Sequence, residues 1–333
     1  MAGSQGGGMS ASLVTGGQGF IGGHLVRALL ERGDEVTVLD LRGAPGQALK
    51  VHGLAGEVRL VEGDVADPAA VDLAMRGAGS GSSGPDSVFH LAAQTLVGPA
   101  AADPVATFRA NAQGTWTLLE AARGFGVAAV VVASSDKAYG PSESLPYRED
   151  DALLPAAPYE SSKAAADVIS RSYWPAFGLP VGVTRLANVY GGGDLNGSRL
   201  VPEVVGACLA GRAPQIRSDG SPERDYLHVS DAAAAYLAIE SAVLQGPGCG
   251  QAFNAGTGEP HSVREMVDRI AAEVARTGGE PLRPEFLGDG VPAGEIDRQF
   301  VDAGRLRELT GWSPRVGLEE GIAEAVGWYR MRN

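Results

Sequence analysis

Tyr159 and Lys163 are a pair of side chains whose types and spacing fit redox chemistry. They stand four positions apart at the start of a predicted helix, so both lie on one face of it. An ammonium beside a phenol stabilises the phenolate, which lowers the tyrosine pKa from about 10 and makes the residue a usable general base. Ser135 follows a predicted strand upstream, where its hydroxyl can hold a substrate oxygen beside Tyr159. These three residues are therefore candidates for catalysis.

A glycine-rich turn, Thr15-Gly16-Gly17-Gln18-Gly19-Phe20-Ile21-Gly22, connects the first predicted strand directly to a helix. Glycine permits the tight turn and lets backbone N–H groups approach a pyrophosphate, which the positive end of the helix also favours. The strand, turn and helix together predict a dinucleotide site. Its predicted contact residues in this turn are Gly16, Gly19, Phe20, Ile21 and Gly22.

The second predicted strand ends at Asp40, close to the separation of roughly 20 residues expected for the acid that binds the ribose 2′-hydroxyl. A carboxylate there repels a 2′-phosphate, so NAD is favoured over NADP. Arg42 leaves NADP open, because an arginine nearby could accommodate that phosphate. The other residues predicted to line the cofactor are Asp64 and Val65 after the third strand and Leu91, Ala92 and Ala93 after the fourth.

Short β-branched runs alternate with amphipathic stretches from Leu13 onward, which predicts an α/β fold with a Rossmann-type doubly wound parallel sheet. The predicted strands are Ser12–Thr15, Glu35–Leu39, Glu57–Glu62, Ser87–His90, Ala129–Ala133 and Val181–Arg185. The predicted helices between them include Gly22–Glu31, Pro104–Arg123 and Tyr159–Phe177. The Gly/Ser-rich stretch Gly77–Asp86 is predicted to be an exposed loop.

Three regions follow from this pattern. Residues 1–11 are rich in glycine and serine and are predicted to be disordered. Residues 12–189 form the predicted NAD-binding domain, which contains the serine, tyrosine and lysine centre. The alternation breaks near residue 190, and residues 190–333 are predicted to be mainly a smaller C-terminal substrate-binding lobe over the carboxyl edge of the sheet. Its predicted helices are Val201–Ala210, Val263–Arg276 and Leu318–Arg330.

Composition excludes several classes of partner. A formal net charge of −13 argues against a nucleic-acid surface, since phosphate backbones are held largely by clustered Lys and Arg. No apolar run reaches the roughly 18–20 residues of a membrane span, and no signal peptide is recognised. Two cysteines, Cys208 and Cys249, are too few for a disulfide framework. We therefore expect a soluble cytoplasmic enzyme, with no metal site.

These motifs resemble the extended short-chain dehydrogenase/reductase family that modifies nucleotide sugars. The resemblance runs from the glycine turn through Asn111, Ser135, Tyr159 and Lys163 to Arg185–Asn188 and Gly311-Trp312-Ser313-Pro314. It implies NAD as cofactor, a nucleotide-diphosphate sugar as substrate, hydride transfer from sugar to nicotinamide, and a homodimer. It also implies that Asn111 supports the active site and that Asn188 and Arg224 hold the substrate diphosphate.

The stretch Ser134-Ser135-Asp136-Lys137-Ala138-Tyr139-Gly140 resembles the CDP-glucose 4,6-dehydratases, in which an acid and a base follow the hydroxyl residue. Three further segments are similar to the same group, namely Val88–Gln94, Gly191–Asp194 and Arg199–Pro202. The substrate-binding residues predicted in this way are Gln94, Asn111, Asn188, Arg199, Leu200, Val201, Arg224 and Arg298. Three features depart from it. Arg224-Asp225-Tyr226-Leu227-His228-Val229 resembles epimerases, and Val97-Gly98-Pro99-Ala100 lacks the polar residues often found there. Asp297 stands where relatives carry a phosphate-binding arginine, with Arg298 next to it.

An acid and a base are useful in a dehydratase because a ketone at C4 acidifies the C5 proton. Lys137 would remove that proton while Asp136 protonates the departing C6 hydroxyl. Adjacent Asp and Lys stabilise each other's charged forms, however, and only desolvation could reverse this effect. The alternative is that Asp136 and Lys137 form a structural ion pair and have no catalytic role. A 4,6-dehydratase is the first functional prediction, a 4-epimerase the second, and an NADPH-consuming reductase or a non-catalytic NAD-binding regulator are remoter alternatives.

Overall fold

The computed structural model describes residues 10–44, 47–79, 84–291 and 296–332. The strands are β1 (Ala11–Thr15), β2 (Glu35–Asp40), β3 (Arg59–Glu62), β4 (Ser87–His90), β5 (Ala129–Ala133), β6 (Val181–Leu186), β7 (Asn188–Tyr190), β8 (Gln215–Ile216), β9 (Glu223–His228), β10 (Ala252–Ala255), β11 (Pro260–Ser262), β12 (Glu285–Phe286) and β13 (Arg298–Gln299).

The α-helices are α1 (Phe20–Arg32), α2 (Ala48–Val51), α3 (Pro68–Arg76), α4 (Val97–Ala102), α5 (Pro104–Phe108), α6 (Gly114–Phe125), α7 (Pro158–Phe177), α8 (Leu200–Leu209), α9 (Val229–Leu244), α10 (Val263–Arg276), α11 (Gly304–Thr310) and α12 (Leu318–Arg330). A π-helical turn spans Arg109–Gln113 and a 3₁₀ turn spans Asp136–Tyr139. Within these described residues, no helix has the length and apolar character needed to cross a membrane.

Seven strands form one sheet in the order β10-β6-β5-β4-β1-β2-β3, and every pair is parallel. The central strand β5 is a continuous apolar run, Ala-Val-Val-Val-Ala, because helices cover both faces of the sheet. The chain winds outward in both directions from β1, so the order reverses between β1 and β4. A crevice at the carboxyl ends of these two strands is where such sheets bind ligands. The predicted doubly wound α/β fold is confirmed.

Two apolar layers hold the sheet between its helices. Leu25 and Leu29 of α1 and Ile239 of α9 are fully buried on one face. Met75 of α3 and Leu118 of α6 are fully buried on the other. All six predicted strands are present in this sheet, with bounds that differ by no more than two residues. The functional loops are therefore held on a rigid base.

The seventh strand, β10, was not predicted. It comes from beyond residue 190 and pairs with β6, and the preceding helix α9 packs beside α1. An ion pair of Arg32 with Glu240 joins these two helices, and Arg32 also binds Asp34 at 2.6 Å. The sequence of β10, Ala-Phe-Asn-Ala, contains no β-branched residue, so it carries no recognisable strand pattern.

The remaining elements form the smaller C-terminal lobe. Strand β9 is paired with β7, β11 and β13, and helices α8, α10 and α12 pack around Val204, Met266 and Ile270. Helix α10 begins with a capping box in which Ser262 and Glu265 bind each other's backbone N–H groups. The predicted lobe helices are present at nearly the predicted bounds.

Three other predictions differ from the structure or extend outside the described residues. The disordered segment was predicted to reach residue 11, but Ala11 is a buried residue of β1 whose N–H donates to Asp86 at 2.8 Å. Residues 1–9 lie outside the described residues, as do residues 80–83 of the predicted loop Gly77–Asp86. The single helix predicted for Pro104–Arg123 is divided into α5, the π-helical turn and α6.

Candidate active site

The glycine turn lies at the carboxyl end of β1, at the crevice of the sheet. Gly16 has φ +75°, and a Cβ on it would lie 2.6 Å from the Ala92 nitrogen. A Cβ on Gly22 would lie 2.2 Å from the Gly16 carbonyl oxygen, so both positions require glycine. Helix α1 begins after Gly19 with no side-chain cap and no acidic residue in its first turn. These features fit a bound pyrophosphate.

Asp40 lies beside this turn. Its carboxylate accepts hydrogen bonds from the Gln18 and Leu41 N–H groups, both at 2.8 Å. Burial raises the pKa of Asp40, and the two hydrogen bonds oppose this rise. Arg42, proposed as an alternative phosphate contact, is highly exposed and pairs with Glu62 at 3.2 Å. A carboxylate fixed against the glycine turn favours NAD, as predicted.

Asp64 and Val65 differ in what they offer a cofactor. The Asp64 carboxylate pairs with Arg109 and accepts a hydrogen bond from the Ala66 N–H at 2.8 Å. Burial opposes its charge, but these two partners outweigh burial and lower the pKa of Asp64. Val65 is a buried core residue in front of Gly114. Asp64 can therefore offer a cofactor a hydrogen-bond acceptor, whereas Val65 can offer only apolar contact.

The segment after β4 forms the opposite wall of the glycine turn. The Ala92 N–H donates to the Thr15 hydroxyl at 3.2 Å, and Leu91 and Ala93 are partly exposed beside it. His90 itself points into the interior, between the hydroxyls of Thr15 at 2.8 Å and Thr115 at 3.0 Å. Burial lowers its pKa to about 3, so it is neutral and serves to fix the wall.

Tyr159 and Ser135 are brought together by α7 and the end of β5. Both are buried, and a hydrogen bond links Tyr159 to Ser135. Burial raises the pKa of Tyr159 to about 12, and the bond to Ser135 only partly opposes this rise. The predicted lowering by Lys163 does not occur in this structure. The physical reason is that burial dominates and that the Lys163 ammonium is directed to a backbone oxygen.

That oxygen is the carbonyl of Ala133, which accepts a hydrogen bond from Lys163 Nζ at 2.9 Å. Lys163 is buried, and burial lowers its pKa to about 8. The Ser134 hydroxyl in turn donates to the Lys163 carbonyl oxygen at 3.2 Å. Helix α7 and strand β5 are therefore joined at the level of the predicted catalytic residues.

Asp136 and Lys137 begin the 3₁₀ turn that follows Ser135. Asp136 is 2% exposed, and burial raises its pKa to about 6, although Lys137 and a hydrogen bond from Ser135 at 3.1 Å oppose this rise. Its Oδ2 is buried and accepts no hydrogen bond from the described residues. Desolvation thus outweighs the adjacent ammonium, which is the condition that an acid role requires.

A hydrogen-bond relay connects the π-helical turn to α7. Asn111 accepts from the Gln94 N–H at 2.7 Å and donates to the Gln94 carbonyl oxygen at 2.9 Å and to the Ser162 hydroxyl at 2.8 Å. Ser162 donates to the Tyr159 carbonyl oxygen at 2.7 Å. The Gln94 side chain accepts from the Leu96 N–H at 2.8 Å. Asn111 therefore acts on Tyr159 through the backbone, and both N–H groups of its side-chain amide have partners.

The predicted substrate residues differ in burial and in location. Arg199 binds Asp194 at 3.0 Å and Thr95 at 3.3 Å, and its charge reaches Tyr159, whose pKa it lowers slightly. Leu200 is partly buried and Val201 is buried in the core of the lobe. The three predicted phosphate contacts are grouped on the lobe sheet: Asn188 on β7, Arg224 on β9 and Arg298 on β13.

Two of those residues have protein partners already. The Arg224 guanidinium is buried and donates to the carbonyl oxygens of Glu223 at 2.8 Å and Asp297 at 3.0 Å. Arg298 is half exposed and binds the Glu223 carboxylate at 2.6 Å. Among the described residues, no group of three or more His, Cys, Asp or Glu side chains could hold a metal ion.

Sequence reasoning missed the buried contacts that hold the 3₁₀ turn. Arg185 binds Asp167 of α7 through two nitrogens, at 2.7 and 3.0 Å, and donates to the Tyr139 hydroxyl at 2.8 Å. Tyr139 donates to Asn254 of β10 at 2.7 Å. Arg185 stood in a stretch of family resemblance, yet only the fold shows that it joins this turn to the helix of Tyr159.

A doubly wound sheet, a glycine turn fitted to a pyrophosphate and a buried Ser/Tyr/Lys group define an NAD-dependent enzyme. Residues 12–256 match the NAD dependent epimerase/dehydratase family, and the chain belongs to that family.

Relatives of two kinds are similar to the chain. The UDP-glucose 4-epimerase of Mycolicibacterium smegmatis is 37% identical over 97% of the chain and 99% of its own length. The dTDP-glucose 4,6-dehydratase of Streptomyces griseus is 33% identical over 95% and 93%. The crystal structure of the DesIV double mutant, a dTDP-glucose 4,6-dehydratase from Streptomyces venezuelae with NAD and DAU bound, is 31% identical with TM-score 0.82, covering 96% of each chain.

Proposed function

We propose that the protein is a nucleotide-sugar 4,6-dehydratase. The observation that carries this proposal is the state of Asp136: a carboxyl group with a pKa near 6, adjacent to Lys137 and hydrogen bonded to Ser135. An acid and a base beside the oxidising centre are what elimination of water requires. Among the described residues, Asp136 Oδ2 is buried without a hydrogen-bond partner, which fits a carboxyl group available to a substrate.

The residues around the crevice divide into those that hold NAD and those that act on the sugar. Gly16, Gly19 and Gly22 hold the pyrophosphate, Asp40 the ribose, and Asp64 the adenine. Bound NAD supplies a hydride acceptor for C4 of the sugar and later a hydride donor for C6. The positive charge that bound NAD would bring to this crevice would favour the phenolate form of Tyr159.

Tyr159 removes the proton of the C4 hydroxyl, and Ser135 holds the same oxygen by a hydrogen bond. Lys163 is 5% exposed, and its Nζ donates to the Ala133 carbonyl oxygen, which joins α7 to β5 at the level of Tyr159. The ketone formed at C4 makes the C5 proton acidic. Lys137 takes that proton, the C5–H electron pair becomes the C5–C6 double bond, and the C6–O bond breaks as Asp136 protonates the leaving oxygen. Water is released, which leaves Lys137 protonated and Asp136 ionised. When hydride returns to C6, Lys137 gives its proton back to C5.

A 4-epimerase is the second candidate, because the Mycolicibacterium smegmatis relative is the more similar of the two sequences compared and the Arg224–Val229 stretch resembles epimerases. An epimerase uses the same Ser/Tyr/Lys group and the same cofactor. Epimerisation at C4 does not remove the C5 proton, so an epimerase has no use for a raised Asp136 pKa beside Lys137. The Asp136 environment therefore favours the dehydratase.

Lys137→Met is the experiment that separates these candidates. In a dehydratase the variant still oxidises C4, so NADH absorbance rises in a single turnover while formation of the water-lighter product falls about 10²- to 10⁴-fold. Lys50→Met, at an exposed lysine of α2, is the matched control and should behave as wild type. A wild-type product of unchanged mass would contradict the dehydratase proposal.

The nucleotide is proposed from resemblance to the CDP-glucose 4,6-dehydratases, with Asn188, Arg224 and Arg298 as diphosphate contacts. The test is product mass with CDP-, UDP- and dTDP-glucose at equal concentration. Turnover that is fastest with CDP-glucose supports this assignment. Faster turnover of dTDP-glucose or UDP-glucose overturns the nucleotide assignment and leaves the reaction type standing.

A further inference from the structure

Gln299 reaches the proposed acid and base from the lobe. It lies on the short strand β13, is 0% exposed, and accepts a hydrogen bond from Lys137 Nζ at 3.4 Å through Oε1. Among the described residues, its Nε2 is buried with no hydrogen-bond partner. A buried unpaired donor destabilises the folded state, so this arrangement calls for a ligand or a functional reason.

The orientation of the Gln299 amide follows from chemistry. A lysine ammonium only donates hydrogen bonds, so the amide oxygen faces Lys137 and the amide nitrogen is turned away. Asp136 Oδ2 is the second buried atom without a partner at this place. Gln299 and Asp136 share Arg224 as a neighbour. Gln299 of β13 pairs with Arg224 of β9, and the Arg224 charge acts on the Asp136 carboxyl group. A donor and a carboxyl oxygen thus remain unpaired on the residue that accepts from Lys137 and on the residue that precedes Lys137 in the chain.

We propose that Gln299 positions Lys137 and that its free N–H, together with Asp136, binds the C6 hydroxyl that leaves as water. This inference rests on the proposed dehydratase function. The leaving oxygen accepts a hydrogen bond from the Gln299 N–H and the proton from Asp136, so both unpaired groups gain a partner. Two donors directed at an oxygen that gains negative charge stabilise the transition state for elimination. The lobe thereby contributes directly to the chemistry of the sheet domain.

Two substitutions of Gln299 test this proposal, because they should shift the pH–rate profile for elimination in opposite directions. Gln299→Leu removes the acceptor from the Lys137 ammonium, so the acidic limb of the pH–rate profile for elimination moves to lower pH. Gln299→Glu has the same shape but adds a carboxylate that stabilises the ammonium, so the limb moves to higher pH. The other charged groups near this pair, Asp136 on the 3₁₀ turn and Arg224 and Asp225 on β9, are the same in both variants.

Rates are measured by single-turnover NADH absorbance for C4 oxidation and by product mass for elimination. For Gln299→Leu we expect elimination to fall about 10- to 100-fold, since misplacement of a catalytic group by about 1 Å has effects of this size. Oxidation should change less than threefold. Gln215→Leu, an exposed glutamine of β8, is the matched control for the same substitution in the lobe.

The outcomes are distinguishable. A wild-type product of unchanged mass defeats the dehydratase proposal itself. A water-lighter wild-type product, with equal losses of oxidation and elimination or an unmoved pH limb in the Gln299 variants, overturns the role of Gln299 alone. If Gln299→Leu fails to fold in a thermal melt, Gln299→Glu carries the test through its pH limb.

Discussion

Asp136→Asn should make the protein more stable while it removes elimination. Burial raises the pKa of Asp136 from 3.8 to about 6. At about 1.4 kcal/mol for each pKa unit, the ionised carboxylate costs the folded state about 3 kcal/mol. Asparagine has the same shape and no charge, so the variant avoids this cost. A side chain kept for chemistry at the expense of stability is common in active sites.

The sign of the pH dependence follows from the two states. The folded protein keeps the Asp136 proton up to about pH 6, whereas the unfolded chain loses it near 3.8. Between these values the folded state binds more protons, so the free energy of unfolding of the wild type falls as pH rises. The advantage of Asp136→Asn therefore grows between pH 4 and pH 7, to about 3 kcal/mol, and is constant above that range.

Urea denaturation of wild type and variant across this pH range measures the difference directly, provided that the denaturant slope is unchanged. Asp289→Asn, at an exposed aspartate, is the control and should show no such growth. Elimination by Asp136→Asn should fall about 10²- to 10⁴-fold, because an amide donates no proton to the leaving oxygen. A pH-independent stability difference, or a variant less stable than wild type at pH 7.5, would refute the reasoning.

Two further predictions concern the cofactor and the oxidation step. Tyr159→Phe should keep the fold and NAD binding but lose about 10²- to 10⁴-fold in single-turnover oxidation, and near-normal oxidation would show that another group removes the proton. Asp40→Ala should weaken NAD binding about 10- to 100-fold and reduce the preference for NAD over NADP, because the repulsive carboxylate is gone. Titrations of both cofactors followed by fluorescence check this, and unchanged affinities would limit Asp40 to capping the glycine turn.

Local patterns carried much of the fold. The glycine turn, the buried strands and helices such as α10 and α12 could be predicted, because their periodicity and caps are properties of contiguous residues. Strand β10 could not, since its four residues become a strand only by pairing with β6. The π-helical turn at Arg109–Gln113 was hidden for a related reason: nothing in a helical sequence pattern marks where one turn widens.

The candidate site shows the same division. Tyr159 and Lys163 were predicted from residue types and spacing, and the Asp136–Lys137 pair was predicted from the family resemblance. The pKa of Tyr159 was predicted in the wrong direction, because a spacing of four residues does not show where Lys163 Nζ points or how deeply the phenol is buried. Gln299 was missed because it is distant in sequence from the residues it contacts. Burial and long-range contacts are properties of the fold and have no local sequence pattern.

The return of the chain to the sheet through α9 and β10 restricts how members of this family can be recombined. A protein cut after residue 189 would leave β6 as an open edge and would remove the helix that packs beside α1. The two parts are therefore not interchangeable modules. A chimaera built to exchange sugar specificity must keep Val229–Ala255 with the parent that supplies residues 12–189, and must take residues 190–228 and Pro260–Arg330 from the donor.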